Sequence, residues 1–279
     1  MSLDALRDTI DLLTKVPVLW VPGLVCGFLA AVLWLLLNQT GPFFAGRLLI
    51  IFSLLALFFI IGMLSIIKKS DSTIRMILAD GARNYFKVLV PTLVLVFGIL
   101  LVFVMVVLTL TMVGSKPDAG LLTFLVFGVV LPTVALTFFY DTAVIFEDKK
   151  VFDSLQRSIN LVTANLLEVI LFFAGCLLIL ISISFTLMIL WTAILADQLE
   201  PITRYNQTQL QALAPEHLAQ IIGQEGVWIT ALIIFAWMTI VIPLIYTYKA
   251  CFYRRIAGRI APIQQQIGEY DSKGRWYKY

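Results

Sequence analysis

The sequence predicts an all-α, polytopic membrane protein with six transmembrane helices, and three observations carry this prediction. The chain of 279 residues is 61% hydrophobic and only 13% charged, with a mean hydropathy of +0.97. It contains long apolar runs, and its basic residues collect in alternate segments between those runs. A water-soluble domain carries about 25% charged residues. A soluble, disordered or coiled-coil protein is therefore excluded.

The apolar runs have the length of membrane spans, since about 20 helical residues cross the hydrocarbon core of a bilayer. The runs are continuous rather than alternating, so helices and not barrel strands must satisfy their backbones in lipid. The predicted spans are residues 16–37, 48–67, 88–113, 121–146, 167–196 and 227–248.

Basic residues predict the orientation of these spans. The N-terminus, the segments after the second and fourth spans and the C-terminal tail hold 17 of the 20 lysines and arginines. The opposite side holds Arg47, Lys116 and Arg204. Because basic residues concentrate on the cytoplasmic side of membrane proteins, we expect both termini in the cytoplasm and the protein in the plasma membrane.

An internal repeat organises the chain. The segments around Leu6, Ile74 and Leu155 align, and each precedes a span. Each has apolar residues at helical spacing, which is typical of an amphipathic helix at an apolar boundary. The apolar positions are 3, 6, 10 and 13, then 74, 77, 78 and 85, then 151, 155, 159, 162 and 166. We expect three interfacial helices at the cytoplasmic membrane surface; the alternative is a set of soluble helices that cap the bundle.

The predicted unit is one interfacial helix plus one transmembrane hairpin. Its three copies, residues 1–67, 68–146 and 147–256, run parallel because each begins and ends on the cytoplasmic side. They form a single membrane domain over residues 1–256, with an external loop at 197–226 and a cytoplasmic basic tail at 257–279. Inverted repeats are common in secondary transporters, so parallel copies lower that possibility without excluding it.

Few ionisable residues lie inside the predicted spans, and such residues are functional candidates. Asp141 lies near the end of the fourth span and Lys249 at a comparable depth near the end of the sixth. We predict an intramembrane ion pair between them, with Arg157 as a second candidate partner for Asp141. The alternative role for this group is a proton or ion relay.

The predicted external side holds two Asn-x-Ser/Thr sequences, at Asn38 and Asn206. Both are candidate glycosylation sites. Asn38 abuts the membrane, so Asn206 is the better candidate; unmodified loop residues are the alternative.

We expect no enzymatic activity, no cofactor and no metal site. The sequence has no GxSxG, HExxH or Walker pattern, and its three cysteines, Cys26, Cys176 and Cys251, have no ligand-like spacing. It has no concentrated basic face of the kind that binds nucleic acid. The expected partners are membrane lipids and other membrane proteins.

The stretch from Phe138 to Val162 joins an apolar helix, an acidic turn and an amphipathic helix with the pattern Ser-Leu-x-Arg-Ser. It resembles the membrane domain fused to some glycerophosphodiester phosphodiesterases, and related archaeal and bacterial six-span families. The resemblance implies a six-helix membrane domain, mostly of unknown role. The hydrolase domain is absent here, so phosphodiesterase activity does not carry over.

The sequence therefore favours a non-enzymatic protein that organises lipid, or supports a membrane complex, at the cytoplasmic leaflet. The alternative is a transporter or permease-like component whose pathway runs near Asp141 and Lys249. A membrane-embedded lipid-modifying enzyme has the least support.

Overall fold

A computed structural model describes residues 2–69, 73–112, 114, 119–200, 215–258, 268–270 and 276–278. Within these residues, six helical segments are long and apolar enough to cross a membrane. They are Pro17–Thr40, Pro42–Lys69, Ile74–Met112, Thr123–Glu147, Leu166–Ile194 and Ile221–Ala257. The predicted fold class, an all-α membrane protein with six spans, is confirmed.

The first predicted unit consists of a short separate helix and a hairpin. Helix α1, Ser2–Lys15, ends where Pro17 begins a short 3-10 turn, because proline lacks the N–H that would continue the helix. Helices α2, Val21–Thr40, and α3, Pro42–Lys69, then form the hairpin. Gly41 joins them at a φ of +82°, a conformation that favours glycine.

The second unit begins differently from the prediction. Helix α4, Ile74–Met112, is continuous for 39 residues, so the predicted middle interfacial helix is not separated from its span. Units one and three have a helix break at this point, at Pro17 and at Asn165. The middle unit has neither proline nor glycine between Gly81 and Pro91, and α4 continues through Pro91.

The fourth span is assembled from several short pieces. Helix α5, Ala119–Leu125, passes through a π-helical turn into α6, Leu131–Thr137. A turn at Phe138 and Phe139 then separates α6 from the eight-residue helix α7, Tyr140–Glu147. The chain leaves α7 through Asp148 in a left-handed conformation, with a φ of 52°.

The last part of the chain again begins with a short separate helix. Helix α8, Val151–Ala164, precedes α9, Leu166–Ile194, and the short α10, Ala196–Leu199. Helix α11, Pro215–Ala257, is interrupted at Gly223, where φ is +66°. Two short antiparallel strands follow, β1, Gly268–Tyr270, and β2, Trp276–Lys278.

The first and last spans pack closely because glycines line their contact. A Cβ atom built on Gly23 would lie 2.5 Å from the carbonyl oxygen of Thr239, and one on Gly27 would lie 2.6 Å from that of Phe235. The two glycines are four residues apart on α2, the spacing that allows helices to approach in a membrane. This contact therefore brings α11 back against α2.

Packing is densest at the end of the bundle where the predicted cytoplasmic segments meet. The buried part of α3 is concentrated in residues 60–67, next to Lys68 and Lys69. By contrast, the most apolar 18-residue window of α4 contains no buried residue. The well-packed end is also where the charged side chains converge.

Candidate functional site

The structure brings Asp141 and Lys249 together inside the well-packed end. Lys249 Nζ lies 2.7 Å from a carboxylate oxygen of Asp141. The side chain of Asp141 is 10% exposed and that of Lys249 is 5% exposed. The ammonium group also lies 4.3 Å from the ring centroid of Phe138, within cation–π range. The contact places both charges in one buried pair that is neutral as a whole.

The break in the fourth span positions Asp141. Helix α7 begins after Phe139, so Asp141 lies in its first turn, where a carboxylate is favoured by the helix dipole. One carboxylate oxygen accepts the backbone N–H of Thr142 at 2.6 Å and its hydroxyl at 3.1 Å. The aspartate therefore has backbone, hydroxyl and ammonium donors.

Arg157 was expected as an alternative partner of Asp141, and the structure places it elsewhere. Its guanidinium group donates to both carboxylate oxygens of Glu147 at 3.0 Å. Tyr253 donates its hydroxyl to the same glutamate at 2.7 Å. Arg157 is buried on the face of α8 that meets α7.

Ser158 bridges the two sides of the break in the fourth span. Its Oγ accepts the backbone N–H of Phe139 at 3.0 Å and donates to the carbonyl oxygen of Leu136 at 2.8 Å. A helix break in the membrane frees backbone groups that must be satisfied internally. The sequence pattern did not predict this role, although Ser158 is the last residue of the Ser-Leu-x-Arg-Ser pattern.

Other ion pairs lie at the same end of the bundle. Arg255 Nη2 lies 2.6 Å from Asp8, which links the end of α11 to α1. Lys69 lies 2.7 Å from the buried Asp80, which links α3 to α4. Arg254 donates to the carbonyl oxygen of Ile67. The segments predicted to be cytoplasmic therefore contact one another; which side of the membrane they face stays a prediction.

Asp148 joins three segments at the surface of this end. Its carboxylate lies 3.4 Å from Lys68 Nζ and 3.2 Å from Lys87 Nζ. The hydrogen bond from Lys87 and the charge of Lys68 lower the pKa of Asp148 below its ordinary value of 3.8. The aspartate thus stays ionised at neutral pH and keeps both lysines near the end of α7.

The remaining candidates lie outside this cluster. Asn38 is exposed near the end of α2 and donates to the carbonyl oxygen of Trp34 at 2.8 Å. Asn206 lies outside the described residues. Cys26, Cys176 and Cys251 are buried free thiols, and within the described part of the chain no group of three metal-binding side chains occurs.

Residues 2–256 match a domain of unknown function, DUF7847. The chain belongs to this family. No curated protein and no solved structure matches it. The family match agrees with a membrane domain of undetermined role, and the resemblance to the membrane domain of glycerophosphodiester phosphodiesterases stays a prediction.

Proposed function

We propose that this DUF7847 member is a non-enzymatic plasma-membrane protein with cytoplasmic termini that acts at the cytoplasmic leaflet. Its amphipathic helices organise lipid there or support a membrane complex. We also propose that the chain is related to the non-catalytic membrane domain of glycerophosphodiester phosphodiesterases.

One observation carries this proposal: α1 and α8 hold large apolar side chains on their outer faces. Leu3 and Ile10 are 79% and 54% exposed, and Phe152 is 72% exposed. The opposite side of α1 packs against the bundle through Ala5, Thr9 and Leu13. An exposed apolar face on a helix whose other face is packed is stable where that face meets acyl chains.

Exposed basic side chains lie at the same end as these faces, namely Arg7, Arg75, Arg83 and Lys150. Each basic residue near an anionic leaflet contributes about 1 kcal/mol of attraction. This charge favours the leaflet that carries anionic lipid, which in a plasma membrane is the cytoplasmic one.

The test measures the lipids and proteins that co-isolate with the chain in polymer-bounded membrane discs. We expect the native protein to be enriched in anionic lipid relative to the bulk membrane. The variant R75Q/R83Q/K150Q should approach the bulk composition. The matched control is R47Q, which removes an exposed arginine at the other end of the bundle. Bulk lipid composition around the native protein, with no co-isolating membrane protein, would contradict the proposal.

A second candidate, a transporter or permease-like component, is favoured by the break at Phe138 and Phe139. Interrupted helices beside buried charges form the binding sites of many transporters. Asp141, which pairs with Lys249, lies two residues after this break.

Proton flux into proteoliposomes under an imposed potassium diffusion potential tests this candidate. Transport through the pair predicts that D141N loses the flux while it still folds. The control D80N changes another buried aspartate that pairs with a lysine, Lys69. Equal flux in native protein, D141N and empty liposomes would exclude proton transport through the pair.

A further inference from the structure

Helix α7 is held at both ends by consecutive residues of α8. At its beginning, Ser158 binds the backbone of Phe139 and Leu136 across the break. At its end, Arg157 binds both carboxylate oxygens of Glu147. The backbone hydrogen bonds that would continue a helix from α6 are replaced here by a side chain of a different helix.

Helix α8 meets two environments. Ser154, Arg157 and Ser158 are buried on its inner side, whereas Phe152 is 72% exposed and Ile159 is 38% exposed on its outer side. The inner side contacts α7, and the outer side lies at the boundary of the bundle. A force on the outer side therefore reaches α7 through Arg157 and Ser158.

Helix α7 also carries Asp141, whose partner Lys249 lies on α11. A shift of α7 must change the distance between the two charges, because α11 is anchored separately against the glycines of α2. Packed elements move in discrete steps rather than deforming continuously. Helix α7 therefore connects α8 to the buried Asp141–Lys249 pair.

We propose that α8 couples the membrane surface to the intramembrane ion pair. Arg157 and Ser158 are the positioning residues that make α7 follow α8, so a change at the outer face of α8 alters the packing around Asp141 and Lys249. This inference rests on the interfacial position of α8 in the proposed function, and it assigns a conformational coupling whatever the protein binds or transports.

The native cysteines report this packing. Cys176 and Cys251 belong to the same buried cluster as Phe139, whereas Cys26 on α2 is buried outside that cluster. The protein in liposomes is treated with N-ethylmaleimide, which enters membranes, and the modified fraction of each cysteine is measured by mass spectrometry. Labelling of a buried thiol reports the population in which its surroundings open.

Ser158→Ala removes both bonds across the break. We expect labelling of Cys176 and Cys251 to rise about tenfold, since a lost buried hydrogen bond shifts such an equilibrium by about that factor. Labelling of Cys26 should not change. The matched control is Ser154→Ala, because Ser154 is equally buried on α8 and its hydroxyl donates to the carbonyl oxygen of Val151 in the same helix. Equal labelling in S158A and S154A would overturn the proposal.

Phe152→Ser changes the outer face of α8 and leaves the buried contacts in place. We expect F152S to raise labelling of Cys176 and Cys251 several-fold, while F86S does not; Phe86 is 70% exposed on α4. In the double variant F152S/S158A, labelling should rise by less than the product of the two single-variant increases, because Ser158 no longer transmits the change and only Arg157 still links α8 to α7. Unchanged labelling in F152S would overturn the coupling, and so would labelling increases that multiply in the double variant. The F152S measurement tests the coupling even if S158A fails to accumulate.

Discussion

At the residue scale, the Asp141–Lys249 pair is stable only while both charges are present. Two buried charges offset each other's desolvation, and removal of one partner leaves the other uncompensated at a cost of about 3–5 kcal/mol. A neutral pair of similar volume carries no such cost.

We therefore predict that D141N and K249M each lower the midpoint of thermal unfolding, while D141N/K249M recovers most of the loss. Thermal unfolding of the purified protein in detergent measures all three. A double variant that is less stable than either single variant would contradict this account and show that the pair contributes through more than charge compensation.

Also at this scale, the sequence indicated Asp141 and Lys249 because charge is rare at that depth. It did not predict the contact between Arg157 and Glu147, since Glu147 lies at the end of a span, where charged residues are common. The choice between Asp141 and Glu147 as partner depends on how α8 is rotated against α7. That rotation is set by tertiary packing.

At the element scale, the contact between α2 and α11 depends on the absence of side chains at two positions. The Cβ of an alanine at Gly23 would lie 2.5 Å from a backbone oxygen of Thr239 and 2.7 Å from Pro243 Cδ. Backbone and a proline ring cannot rotate away, so the helices must separate.

We predict that G23A and G27A each destabilise the protein by about 1–3 kcal/mol, the usual cost of overpacking. The matched control is G98A, in the interior of α4, where an added Cβ meets nothing within 4 Å. Alanine is the better helix former, so G98A should be neutral or slightly stabilising. Equal losses in all three variants would show that close approach is not the cause.

The interfacial position of α8 has its own test. Leu155 is half-buried on the predicted apolar stripe and Gln156 is exposed. Cysteine at position 156 should therefore react faster with a water-soluble thiol reagent than cysteine at position 155. Equal reactivity would contradict the interfacial position.

At the scale of the whole molecule, the basic residues predict which end of the bundle faces the cytoplasm. Arg75 and Arg47 are both exposed, and the predicted topology puts them on opposite sides. In intact cells, a membrane-impermeant thiol reagent should label R47C and not R75C, and permeabilisation should make R75C reactive. The reverse pattern would place both termini outside.

The sequence by itself determined the fold class, the six spans and the one-sided distribution of basic residues. These features follow from composition and local periodicity, because a bilayer selects long apolar helices whatever their neighbours are. It also predicted separate helices before the first and third hairpins, and α1 and α8 are such helices.

Only the tertiary structure decided the break before α7 and the partners of Arg157 and Ser158. Each depends on which faces of two helices meet, and a helix's own periodicity does not specify the face of its neighbour. Ser158 shows the reason most directly: its hydroxyl binds backbone groups 19 and 22 residues away, a distance in sequence that only packing brings together.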